Sequence, residues 1–590
     1  MHYFIPKHVA VWLALLLANV AAQAAEPTTR PNIIVILSDD QGWGDLSIHG
    51  NTNLATPSID SLAKEGAIFE RFFVCAVCSP TRAEFLTGRY HARGGIRGTS
   101  TGQERLDLDE MTIAQTFKTA GYATAAFGKW HNGLQSPYHP NDRGFDEYYG
   151  FCSGHWGDYF DAPLMHNRDF VRGKGYITDD LTDHALAYID QQRERPFFVY
   201  LPFNTPHGPM QVPDPYWEKF KEKKLAMLAR PDQAEDIPMT RAALAMCENI
   251  DWNVGRILAK LAERKLAENT IILYFADNGP NSFRWNGGMK GRKGSTDEGG
   301  VRSPLLIRWP GHIPPGTRVT SIAGAIDLLP TLADLSGVKI ASTKPLDGLS
   351  LKSLLTGSKI AWPDRTLVNM WNRNFSLRTQ QYRLDTSGAL FDMAADPEQR
   401  VDLSKERPEV AKKMRDSAAK WKQELLAELG PRDNRAFTVG HATMTPLPAR
   451  DGVEHGNVKR SDTAPNCSFF TNWTSPDDRI TWEVEVGKPG RYEAEIHYTC
   501  AAADVGSTIE LSLGSAKIEG QVTPAHDPPL YGAEHDRVVR KAESFMKDFK
   551  PLKLGTIELA SGRGQLSLRA LKIAGKQVMD VRYVILTKVE

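Results

Sequence analysis

Two short apolar runs end in residues that bind cations. Residues 31–38 (PNIIVILS) lead directly into Asp39 and Asp40, and residues 270–276 lead into Asp277, Asn278 and Gly279. Asp39, Asp40, Asp277 and Asn278 offer only oxygen ligands, which suits a hard ion of the calcium or magnesium type and not zinc. Taken singly, each is an ordinary cap or turn residue. A third run, 197–202, leads into Asn204-Thr205-Pro206-His207. Cys75 and Cys78 have C-x-x-C spacing, but no second pair completes a zinc site. Cys78-Ser79-Pro80-Thr81-Arg82 reads locally as a turn entering a helix, with Pro80 near its start.

The elements that must position these residues follow from pattern. Continuous, β-branched runs of this length are strands buried on both faces of a parallel sheet. Their polar exits then gather at strand C-termini, where open α/β sheets bind ligands. Residues 239–264 carry apolar side chains at helical spacing (Leu244, Ile250, Val254, Ile257, Leu258, Leu261), so strand and helix alternate and the class is α/β. From Arg365 the pattern changes to short strands (367–370, 382–385, 389–393) and then a charged amphipathic helix from Pro408, a smaller α+β subdomain. Residues 430–462 are loop-rich. Beyond them the period becomes two, as in Ile480, Trp482, Val484 and Val486, and the short strands with Gly and Pro turns predict a β-sandwich. The expected division is a signal peptide 1–24, a catalytic α/β domain 25–364, an α+β subdomain 365–430, a linker 431–462 and a sandwich 463–590.

A chain of 590 residues exceeds one ordinary core. Lys plus Arg (71) balance Asp plus Glu (71), which argues against a general polyanion or nucleic-acid binder. His2 and Lys7 precede the apolar run 9–20 and the small-x-small pattern Ala22-Gln23-Ala24, an export signal cleaved before Ala25. The run is shorter than the ~20 residues a spanning helix needs, and no later segment could span. The mature chain is therefore expected in the periplasm or secreted, with no integral membrane segment. Six cysteines are too few for a disulfide scaffold, although Cys467 and Cys500 could pair.

Cys78 to Arg82, continued by Thr87-Gly88-Arg89, resembles the C-x-P-x-R…T-G signature of the type I sulfatases, of the alkaline-phosphatase-like superfamily. Other stretches keep the family order: Asn32 to Gly44, Gly128-Lys129-Trp130-His131, Pro206-His207, Ala276 to Gly279, Gly291-Arg292-Lys293, Glu298 to Pro304, Ile307 to Gly311, and more weakly Leu390-Phe391-Asp392 with Asp396-Pro397. In that family the cysteine is oxidised by a maturation enzyme to formylglycine (3-oxoalanine). The resemblance implies a mixed, largely parallel central sheet with helices on both faces, calcium in preference to magnesium, and Asp39, Asp40, residue 78, Asp277 and Asn278 around the ion. Two acidic clusters at two strand exits then read as ligands and not as caps.

The resemblance also assigns roles. A sulfate ester repels an anionic nucleophile, and its leaving oxygen must gain a proton. One hydroxyl of a formylglycine hydrate at 78 would attack, with the ion and Arg82 lowering its pKa. The second hydroxyl gives the exit: losing its proton expels sulfate and restores the aldehyde. His131, oriented near Lys129, is the implied base. His207 and Lys293 are implied at the leaving oxygen and the sulfate, and Lys129 also at the substrate. Lys290 competes with Lys293, but Lys293 keeps the family spacing to Glu298-Gly299-Gly300. Ser153 and His155 occupy a region where the family places another polar residue, and Arg302 reads as a structural ion-pair partner.

The implied activity is hydrolysis of sulfate monoesters of sulfated carbohydrates, with aryl sulfates as model substrates. A phosphatase or phosphodiesterase of the same superfamily is the enzymatic alternative, although such enzymes use Ser or Thr and two zinc ions with several His ligands. A glycan-binding protein left inactive by an unoxidised Cys78 is the other. The C-terminal aromatics Phe469, Phe470, Trp473, Trp482, Tyr492 and Tyr498 serve either sugar stacking or core packing.

Overall fold

A computed structural model describes residues 30–589 except 193 and 359–361, so the export signal and its cleavage site lie outside the described residues. The three apolar runs are strands Asn32–Ser38, Phe197–Pro202 and Thr270–Ala276, every residue of them buried. They pair in parallel at the centre of a ten-stranded mixed sheet, with Ala123–Lys129 and Glu147–Phe151 continuing the parallel run. The reason for continuous apolarity is visible in the first strand. Ile33, Val35 and Leu37 enter one core, while Ile34 and Ile36 enter another on the opposite face. Helix Ile237–Glu263 covers the second core, and helices Ile113–Thr119 and Leu328–Leu335 cover the first.

The register sets the site. Ser38 pairs with Ala276 and Leu37 with Pro202, so the three polar exits leave the sheet at one level. Backbone bonds extend the pairing beyond the strands, from Asp277 N to Ser38 O (3.1 Å) and from Asp39 N to Thr205 O (3.0 Å).

Residues 367–392 form a four-stranded sheet, the three short strands expected there together with Asn374–Arg378, and helix Pro408–Leu429 follows. The stretch 431–462, expected as a linker, carries four short strands instead. Phe437–Val439 and Val453–His455 pair with Arg479–Val486, Met444–Pro448 with Asp580–Lys588, and Lys459–Arg460 with Phe470–Thr471. Strands of two to five residues broken by Gly and Pro show no period long enough to read. Together with the later strands they form two six-stranded sheets sharing one apolar core. All six C-terminal aromatics named above are buried, which assigns them to packing. Cys467 and Cys500 are both buried free thiols.

Candidate active site

Helix Cys78–Thr87 presents Cys78 as its first residue, and all ten residues are buried. Thr81 Oγ1 accepts from Cys75 N (2.8 Å) and donates to Asp277 O (2.6 Å), fixing the helix start against the Asp277 exit. Cys75 turns away from Cys78, its Sγ 3.6 Å from His91 Nδ1. Cys78 Sγ lies within 4.8 Å of carboxylate oxygens of Asp39 and Asp277.

A lattice of opposite charges surrounds this point. Arg82 Nη2 bonds Asp277 Oδ2 (2.8 Å), and Arg82 Nη1 donates to Lys129 O (2.6 Å). Lys129 Nζ bonds Asp39 Oδ2 (2.5 Å). Lys293 Nζ bonds Asp40 Oδ1 (2.7 Å), while His207 Nε2 lies 3.6 Å from Asp40 Oδ2. Asn278 Nδ2 donates to Asp40 Oδ1 (2.9 Å), and Asp40 N to Asp277 Oδ1 (3.1 Å). Lys290 is directed elsewhere, toward Asp297 (3.4 Å) and Asp385 (3.6 Å), so the geometry places Lys293 at the site.

The donor set fits a hard cation. Asp39 Oδ1 and Asn278 Oδ1 are buried without a hydrogen-bond partner, a costly state for an acceptor unless a ligand completes it. Burial and the neighbouring Asp39 charge push Asp277 up to about 6, which a nearby dication reverses. Burial also raises Asp40, but the Lys293 ammonium and the hydrogen bonds from Lys293 and Asn278 hold Asp40 below the usual carboxylate range.

His131 sits at φ 62° immediately after the Ala123–Lys129 strand. Burial, then Lys129, lowers its pKa well below the ordinary value, so it is neutral. Its Nε2 lies 2.8 Å from Thr99 O and must donate there, which leaves Nδ1 as a buried, unpartnered lone pair. Burial and Lys293 lower His207 to about 4. Its Nδ1 donates to Gly208 O (2.7 Å), so Nε2 carries the lone pair, while Asp40 keeps the neighbouring Lys293 cationic against its burial.

Ser153 lies apart from this set. Its hydroxyl donates to Asn466 O (2.7 Å) and accepts from Arg450 Nη1 (3.2 Å), which places it at the seam with the C-terminal sheets. Its neighbour His155 does face the site, 5.8 Å from His207 ring to ring, with Nε2 buried and unpartnered. Asn204, named from sequence only as part of a polar strand exit and given no role there, has both its side-chain polar atoms buried and unpartnered. Arg302 pairs with Glu298 (3.7 Å) and stacks over Trp43.

The Asp277-Asn278-Gly279 turn lies against the 298–304 motif. A Cβ on Gly279 would meet Gly299 O at 2.0 Å, so only glycine allows the approach.

The family model described as Sulfatase matches residues 31–338. The chain belongs to the sulfatase family. The model described as N-sulphoglucosamine sulphohydrolase, C-terminal, matches residues 293–424 of this sulfatase. N-acetylgalactosamine-6-sulfatase of Canis lupus familiaris is 31% identical over 384 residues, spanning 59% of this chain and 70% of that protein. Arylsulfatase A of Homo sapiens is 33% identical over 384 residues, 58% of this chain and 71% of that one. The solved structure of Ps i-CgsB in complex with k-i-k-neocarrahexaose is 31% identical with a TM-score of 0.61, covering 68% of this chain and 94% of that one. The large mixed sheet is that of the alkaline-phosphatase-like fold, and the activity is that of a sulfuric ester hydrolase. Among the described residues no helix is long and apolar enough to cross a membrane.

Proposed function

We propose that this sulfatase is exported, to the periplasm or beyond, and removes sulfate from sulfated glycans through a formylglycine made from Cys78 and a calcium ion held by Asp39, Asp40, Asp277 and Asn278. One observation carries the reading: two buried oxygens lack a partner, Asp39 Oδ1 in the group that includes Cys78 and Asp277, and Asn278 Oδ1 on a side chain bonded to the adjoining Asp40. In the unmodified chain Sγ stands where the hydrate oxygens of formylglycine would lie. Burial raises the Cys78 thiol above its ordinary pKa, and Lys129 and Lys293 only partly oppose this, so the plain thiol is held protonated and is a poor nucleophile. Oxidation by a maturation enzyme replaces it with an aldehyde, and addition of water to that aldehyde gives a geminal diol with one hydroxyl to attack and another whose deprotonation regenerates the aldehyde.

When bound, the ion supplies positive charge beside the sulfate oxygens. The chain's own residues do the rest. Arg82 and Lys129 hold Asp277 and Asp39 in place and add cationic field. His131 Nδ1 accepts the proton whose loss expels sulfate, and Lys293, assisted by His207, protonates the leaving oxygen. The sulfated carbohydrate is the proposed natural partner, and the buried C-terminal sheet pair is read as a β-sandwich appended to the catalytic part.

The decisive experiment is mass spectrometry of the Cys78 peptide joined to sulfate release from an aryl sulfate. Conversion to the aldehyde shows as a loss of mass. A fully thiol peptide in enzyme that still turns over would overturn the nucleophile. Removing divalent ions with a chelator is expected to abolish turnover and lower the melting temperature, with calcium restoring both.

A further inference from the structure

A cavity of about 560 Å³ opens above Lys293 and His207, within the range of roughly 300–1,000 Å³ usual for small-molecule sites. Its far wall comes from the C-terminal sheets, from the long connection between strands Ala516–Gln521 and Lys550–Leu559. This connection is fastened to the catalytic part at several points. Arg537 N donates to Met210 O (2.9 Å) and its guanidinium to Val212 O (2.6 Å). Arg540 bonds Gly157 O (2.6 Å) and pairs with Asp536 (2.7 Å). Gln211 Nε2 reaches back to Gly532 O (2.8 Å) and Asp536 Oδ1 (2.9 Å). A segment tied at both ends in this way is a wall and not a lid.

Most ionisable groups lining the cavity are already paired: Asp40 with Lys293, Lys541 with Asp236 (3.2 Å), Arg537 with Asp214, and Arg540 with Asp536. Glu543 is the exception. Among the described residues its carboxylate has no hydrogen bond or ion pair. It is half-buried and packs on Gly208, beside His207, so closely that a Cβ at 208 would meet its Oε1 at 2.5 Å. Val539 stands 89% exposed on the same segment, an apolar surface at the cavity mouth.

We propose that residues 532–546 are the specificity wall of this active site, and that Glu543 accepts hydrogen bonds from the hydroxyl or amide hydrogens of a sugar carrying a single sulfate, while repelling a second anionic group on that ring. The proposal rests on the sulfatase reading and deepens it. Lys293 at the floor takes the sulfate, with the charge of the fully buried Lys129 behind it. A carboxylate on the opposite wall is complementary to a neutral, hydroxyl-bearing ring and hostile to a second sulfate or a carboxylate. Fixing it on a tethered segment lets it discriminate without a closing motion.

The test uses the matured full chain and two aryl sulfates of one scaffold, one bearing an additional hydroxyl and one an additional carboxylate. Wild type is expected to favour the hydroxyl substrate. Glu543→Gln should lower the ratio of the two kcat/KM values by about tenfold, the scale of one charge contact, and Glu543→Lys should lower it further. High salt should narrow the wild-type ratio and leave that of Glu543→Gln flat. Because Glu543 has no hydrogen-bond or ion-pair partner among the described residues, the melting temperature should stay at the wild-type value in both variants, which separates recognition from support. An unchanged ratio in both folded variants would remove Glu543 from recognition and the wall with it. Failure of wild type to cleave either compound would instead overturn the sulfatase reading beneath it.

Discussion

Around Cys78 the chain buries Asp39, Asp40, Arg82, Lys129 and Asp277, each at most 1% exposed, and leaves polar atoms of Asp39, Asn278, His131 and Asn204 unpartnered. The C-terminal sheets bury side chains as large with a different outcome. Trp482 donates to Pro448 O (3.0 Å), Tyr492 to Lys488 O and Tyr498 to Pro524 O, within a core otherwise apolar. Both regions are fully packed, so burial alone does not mark function. What separates them is the kind and the convergence of the unpartnered groups: around Cys78 orphaned oxygens of Asp39 and Asn278 and a ring nitrogen of His131 gather at one point, whereas in the C-terminal core Trp473 Nε1 is an isolated indole donor.

The sharpest way to break this contrast is at Asp277. Asp277→Ala removes an expected ion ligand and strips Arg82 of its nearest carboxylate, so turnover should fall on the order of 10³-fold or more, and stability by about 3 kcal/mol from the uncompensated guanidinium. Near-normal aryl sulfate hydrolysis in this variant would mean the orphaned oxygens mark nothing. Trp482→Ala is the mirror test. It opens a cavity in the C-terminal core and should cost about 3–5 kcal/mol in chemical denaturation, while the folded enzyme keeps its kcat on a small aryl sulfate. A loss of kcat there would show that the two regions are not separable.

The smallest effect concerns the seam between them. His497 lies between Phe170 of the catalytic part and Tyr583, and burial alone lowers its pKa to about 4. A depressed pKa means that the unfolded chain binds the proton more readily. The stability from this group is therefore present above pH 6.5 and lost as pH falls toward 4. His497 is partly reached by solvent, so the loss is about 1 kcal/mol. Melting curves of wild type and His497→Gln should diverge only inside that window, and a constant offset at all pH values would assign the effect to packing.

Much of the site was legible because strand exits are legible. The runs 197–202 and 270–276 appear in the structure with the same bounds, and the helix expected at 239–264 spans Ile237–Glu263. The acidic pairs could be placed together in advance because parallel strands of equal length must end at one level. Contacts between distant segments were not legible. Nothing local in Ser153 signals that its hydroxyl turns to Asn466, more than three hundred residues away, and nothing in Glu543 signals His207. The strands within 431–462 were hidden by brevity, since two or three residues show no alternation.

The pairing of Ser38 with Ala276 has a longer reach. The gap between the two ligand pairs is set by the distance between neighbouring hydrogen-bonded strands, about 4.8 Å, a length dictated by peptide geometry and indifferent to loop composition. Change in the surrounding connections can therefore remake which ring is admitted while the cradle keeps its bore. A single scaffold can in this way diversify across many substrates while the proposed ion ligands keep their spacing.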